Sequence, residues 1–140
     1  MMKSKHDISE HILQDLNKVK TWTSDLEFYK SECSFLHKLL DNYFNRLTTP
    51  RHIDSLKHIE HELVMLEEER HAIDKQLGSY MSKVKSTAEA MDDDEQKDLE
   101  ERYGKLWPLM EELTQKTRNV KKEIYAIIEK VIEEDELYDV

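Results

Sequence analysis

Residues 19–47 read VKTWTSDLEFYKSECSFLHKLLDNYFNRL, and this stretch decides the fold. Its apolar positions are Val19, Trp22, Leu26, Tyr29, Cys33, Leu36, Leu40, Tyr43 and Leu47. The steps alternate between three and four without a break. That spacing puts one side chain per turn on a single helix face, a heptad a/d seam sustained over four heptads. Phe35, Leu39 and Phe44 widen the stripe toward its C-terminal end. A two-stranded seam does not need them, whereas a multi-helix bundle does. Upstream, Asp7 with Glu10 has the spacing of a capping box, so the first helix is predicted over about residues 7–47.

The same period returns twice. Thr48-Thr49-Pro50 breaks the first helix, because Pro50 disfavours helical geometry at Thr49 and suits the opening of a second helix, over about 51–90. The second seam is Leu56, Ile59, Leu63, Leu66, Arg70, Ile73, Leu77, Tyr80, Val84, with Arg70 as its one intruder. Met91-Asp92-Asp93-Asp94 marks the next turn, with Asp92 or Asp93 as cap of a third helix over about 93–138. The third seam is Tyr103, Leu106, Met110, Leu113, Thr117, Val120, Ile124, Ile127, Val131. Pro108 lies inside it, and its ring clashes with the carbonyl four residues back, so a kink or break is expected near Gly104–Pro108. The tail, residues 133–140, is acidic; acids at a helix C-terminus oppose the dipole, so fraying is expected there.

Three segments of about 40 residues, each about 60 Å long as a helix, predict an all-α chain. The architecture expected is an elongated antiparallel three-helix bundle, up-down-up, forming a single domain over 1–140. Folding at residues 49–50 sets residue i opposite about 99 − i, and folding near residue 90 sets it opposite about 180 − i. Lys116, Arg118, Lys121 and Lys122 then lie level with His58, Glu60, His61 and Glu62, where opposite charges meet and help set register.

Composition agrees. Charged residues are 37% of the 140, well above the usual quarter, and there are only two glycines and two prolines. That poverty of turn residues excludes most β-sandwiches and Gly-rich phosphate-binding folds. A net charge of −10 argues against nucleic acid and anionic membrane surfaces as partners. No apolar run approaches the roughly 18 residues of a membrane span, and the N-terminus reads as an amphipathic helix, not a signal peptide. One cysteine permits no internal disulfide and fits a reducing, cytoplasmic setting.

No Gly-rich phosphate loop, HExxH, GxSxG or CxxC is present. The sequence therefore predicts a non-enzymatic bundle, without a cofactor, that binds another protein or a second copy of itself. Phe28, Phe35, Phe44 and Val64 lie off the seams, where a homodimer would bury them. The alternative is a metal-binding bundle with a carrier or oxidoreductase role. His58 and His61 flank Ile59 and fall near the level of His37 and Asp41, so His37, Asp41, His58, His61 and Glu62 form the candidate set for Zn or Fe. Arg70 and Cys33 occupy seam positions. Arg70 must snorkel or find a carboxylate, as a register-setting contact or as the cation of an anion pocket. Cys33 fits a small apolar filler better than a nucleophile, because the surrounding acids oppose a thiolate. Trp22 and Trp107 read as packing anchors.

The run Trp22, Leu26, Phe28-Tyr29-Lys30, Glu32, Phe35-Leu36 resembles the opening helix of a group of uncharacterised small bacterial proteins, all-helical and coiled-coil-like. Glu60-His61 on the second helix is similar to the same group. The resemblance covers the first two helices and implies a small, soluble, helical, cytoplasmic protein without implying a chemistry. The long heptads with an early Trp also resemble spectrin-type three-helix repeats in architecture.

Overall fold

The computed structural model describes residues 5–87 and 92–138, with side chains over 10–86 and 92–137. Every regular element in these residues is helical: α1 (Lys5–Asn42), α2 (Phe44–Leu47), α3 (Ile53–Thr87) and α4 (Asp93–Tyr138). They divide into two compact units, Met1–Glu27 with His71–Glu112 and Phe28–Arg70 with Leu113–Val140. α1, α3 and α4 contribute to both.

In the first unit the seams bury Val19, Trp22 and Leu26 from α1, Ile73, Leu77, Tyr80 and Val84 from α3, and Leu99, Leu106 and Met110 from α4. Each such side chain contributes about 1.5–3 kcal/mol on leaving water. Trp22 is the anchor. It stacks on Tyr103 with centroids 5.5 Å apart and meets Trp107 edge-on at 5.0 Å. Trp107 itself stays partly exposed, with the Lys18 ammonium 5.0 Å from its ring centre. Lys83 donates to Asp98 at 2.7 Å, and Arg102 pairs with the same carboxylate at 3.1 Å.

In the second unit Cys33, Leu36 and Leu40 of α1 and Leu47 of α2 are buried, as are Leu56, Ile59, Leu63 and Leu66 of α3. α4 supplies Leu113, Thr117, Val120, Ile124, Ile127, Ile128 and Val131. The hydroxyl of buried Thr117 donates to the Leu113 carbonyl at 2.8 Å, so its polarity costs little. Polar links flank this core: Tyr29 to Thr114 (2.8 Å), Lys121 to Glu32 (2.7 Å), Lys116 to Glu69 (2.6 Å) and Arg46 to Asp135 (2.6 Å). Among these, Lys116 pairs with Glu69 and Lys121 with Glu32.

Several helix ends depart from expectation. Asp7 lies inside α1, not at its cap. α1 stops at Asn42, and Tyr43 separates it from the four-residue α2; the Tyr43 amide reaches back only three residues, to the Leu40 carbonyl. α3 begins at Ile53, because the Thr49 carbonyl accepts from both His52 and Ile53 and holds Pro50 in the turn. The expected end of that helix near Ala90 lies outside the described residues. Asp92 is the cap of α4, accepting the Glu95 amide at 2.8 Å. α4 then runs through Pro108 without a break. Pro108 and Gly104 are both exposed, so the Gly104 carbonyl that Pro108 cannot bond is open to hydration. Within the acidic tail, α4 is helical as far as Tyr138. Glu134 and Asp135 are held by Arg51, His52 and Arg46, and the two guanidinium charges offset the unfavourable dipole.

Two predictions follow from these contacts. The buried Tyr80 hydroxyl has no hydrogen-bond partner among the described residues. Tyr80→Phe removes an unsatisfied group and leaves the ring, so unfolding in urea should show a gain of about 1 kcal/mol. Lys83 holds the Asp98 carboxyl below its usual range by hydrogen bonding, and His52 does the same for Glu134. A depressed carboxyl stabilises the fold above its unfolded pKa and loses that contribution as pH falls through its lower folded value. D98N and E134Q should each be less stable than the native chain at pH 7 and converge with it near about pH 2 in denaturation curves.

Candidate functional site

The five sequence-predicted ligands do not meet at one point. Glu67 and His58 are nine residues apart on α3, which at about 100° per residue places them on opposite flanks. Glu67 faces α1, where its Oε1 lies 3.0 Å from His37 Nε2. His58 and Glu62 therefore face α4. His58 Nε2 lies 3.0 Å from Glu62 Oε1, one turn along the same helix. Asp41 is exposed near the end of α1, on neither group. His61 is exposed beside a shallow cleft of about 310 Å³ shared with Glu62, Glu69, Lys116 and Glu123.

The residue that completes the α4-facing group is Glu123. One donor atom each from His58, Glu62 and Glu123 lie within 4.8 Å of one another. The Glu62 and Glu123 carboxyl groups face each other across the gap between α3 and α4, within that distance. Partial burial and the negative charge of Glu62 push the Glu123 carboxyl up, while His58 opposes them. Register made Glu123 legible, since it stands level with His58 on the 180 − i rule; the basic residues beside it drew the reading elsewhere.

A second, larger cleft of about 850 Å³ opens along the same flank. One wall carries His58 and Glu123, and another carries Arg51, His52 and Glu134. Buried His52 reaches Glu134 Oε2 at 3.0 Å and helps close the end of the cleft. Extended back by four from Leu56, the α3 seam reaches His52, a signal that a seam begun at Leu56 leaves unused.

The two seam intruders behave differently. Cys33 is buried, and burial pushes its thiol up to about 11, with Glu67 and Glu32 adding to the shift and Arg70 opposing it. That environment suits a filler and not a nucleophile. Arg70 is half-buried; its Nε is enclosed without a partner among the described residues. Neither cleft above is lined by it.

Of the off-seam residues, Phe28, Phe35, Phe44 and Val64 are all exposed. Phe28, Glu32, Phe35 and Leu39 are spaced 4, 3, 4 and form one stripe of α1. On α4, Lys121, Tyr125, Ile128 and Ile132 have the same spacing. The Glu32–Lys121 bond joins the two stripes. Phe28 (59% exposed), Phe35 (55%), Tyr125 (43%) and Ile132 (40%) therefore share one face. Val64 lies on the α3 flank that carries Glu67 and does not join it.

No family model, curated protein or solved structure matches this chain. No helix in the described residues is long and apolar enough to cross a membrane.

The Cys33 environment has a direct consequence. In the native chain at pH 7.5, disulfide exchange with a small aromatic disulfide reagent should be more than about a hundredfold slower than in denaturant. Absorbance of the released thiolate measures both rates.

Proposed function

We propose that this protein is a binding module, an up-down-up three-helix bundle whose first partner is a second copy of itself. The helix directions are supported by the order of pairing in the second unit. From α1 to α4, residue numbers rise together: Tyr29 with Thr114, Glu32 with Lys121. From α3 to α4 they run oppositely: His52 with Glu134, Glu69 with Lys116.

The observation that carries the function is the α1–α4 face. Four half-exposed side chains leave roughly 400 Å² of apolar surface on it, in the range of patches that mark interaction sites. A standard interface covers about 800 Å² per partner, so this strip would form its apolar centre with polar flanks supplying the rest. The Glu32–Lys121 pair set within it is a small dipole. A two-fold axis places that dipole head-to-tail against its copy, so each carboxylate gains a second ammonium. An unrelated apolar partner would have to supply its own match for both charges.

Sedimentation equilibrium of the full chain tests this reading. The expected result is a dimer at about 50 µM, strengthened by added salt, which screens the repulsion between two chains of −10 each. F28E/F35E should be monomeric with an unchanged helical spectrum, because both rings are solvent-exposed. A native chain that stays monomeric at about 500 µM, or a dimer that survives F28E/F35E, overturns it.

A further inference from the structure

The His58, Glu62 and Glu123 group is not needed by the binding face and lies on a different flank of the second unit. Its composition sets it apart from an ordinary surface cluster of acids. One imidazole and two carboxyl groups come from two separate helices and converge on a single point. His58 and Glu62 are spaced i, i+4, which sets both on one side of α3 as a chelating pair, and Glu123 faces them from α4. Four-coordinate zinc with ligand bonds of about 2.0–2.1 Å needs donor atoms roughly 3.3 Å apart. The 3.0 Å separation of His58 Nε2 from Glu62 Oε1 is close to that value. The third donor lies within 4.8 Å of both, so a small side-chain rotation about Glu123 brings it into range.

The charge arrangement points the same way. In a chain of net charge −10, the carboxyls of Glu62 and Glu123 are brought within 4.8 Å of each other. Two carboxylates at that separation repel, and a cation set between them removes the repulsion. A divalent ion is neutralised by the two carboxylates and takes the imidazole as its neutral third ligand. The adjoining cleft of about 850 Å³ gives the ion a path in and leaves its remaining positions to water. Both supporting elements are long helices, which hold ligands more rigidly than loops do.

We propose that His58, Glu62 and Glu123 form a binding site for one divalent transition-metal ion, with Zn2+ as the representative member of the class. The ion bridges α3 and α4. The site differs from the five-residue set suggested by sequence: it keeps His58 and Glu62, gains Glu123, and leaves out His37, Asp41 and His61. It does not depend on self-association.

The full chain, stripped with chelator and dialysed into chelator-free buffer at pH 7.5, is titrated with zinc chloride by calorimetry and equilibrium dialysis. One ion per chain is expected. H58A and E123Q should each weaken binding about tenfold or more, whereas H37A and E67Q, on the α1 flank, should leave it unchanged. Zinc should raise the melting temperature of the native chain but not that of E123Q, since an ion that binds only the folded state stabilises it. Affinity should fall as pH drops toward 5, where protons compete for the imidazole and the carboxylates. All four substituted residues are at least part-exposed, and circular dichroism confirms that each variant folds; E62Q serves in place of any that does not. No uptake at about 100 µM zinc overturns the proposal. So does uptake indifferent to H58A and E123Q, uptake lost in H37A, or a stoichiometry of one half, which would place the ion between two copies.

Discussion

A stripe of one apolar residue every three or four positions covers less than a third of a helix surface. Alone, such a helix in water buries none of its stripe, and most of a protein helix's stability comes from packing that face. Three such stripes of equal period bury one another, and everything else in this protein depends on that mutual burial. It explains how a chain with 37% charged residues folds at all. The core is one side chain per turn from each helix, from Val19 to Leu47, Leu56 to Val84 and Leu99 to Val131. The remaining positions are free to carry charge.

That freedom is what the protein uses. Charges beside the seams choose partners across the helix gaps: Glu32 takes Lys121, Glu69 takes Lys116, and Asp98 takes Lys83. Exposed or half-exposed pairs of this kind contribute little each, about 1 kcal/mol at most. Their value lies in register, because a helix slid by one turn would break them together. Where the apolar stripe broadens, at Phe28, Phe35, Tyr125 and Ile132, the surplus has nowhere inside to go and becomes a surface. Where like charges face each other, at Glu62 and Glu123, the arrangement is open to a proton or a cation.

Much of the fold was legible from spacing. Of the 27 seam positions read from the sequence, Tyr29, Tyr43, Arg70 and Tyr103 alone fall short of full burial. These are long side chains with a polar tip that keep that tip near solvent or a partner, as Tyr29 does with Thr114. Errors gathered at helix ends. Pro108 was tolerated because Gly104 and the proline face outward, and α4 runs on to Tyr138 with Arg46, Arg51 and His52 beside its acids. Both outcomes rest on neighbours remote in sequence.

What the sequence by itself determined, then, is the helical class, the seams and the break at Thr48-Thr49-Pro50, since each follows from local periodicity or proline chemistry. What only the tertiary structure decided is which flank of each helix meets which neighbour. The division of His37 and His58 between two separate groups follows from that, as does the recruitment of Glu123 and the pairing of Phe35's stripe with Tyr125's. Heptad spacing specifies how far around a helix a residue lies from its own seam. It does not specify which of two partner helices stands on that side, because both present seams of the same period and comparable side chains.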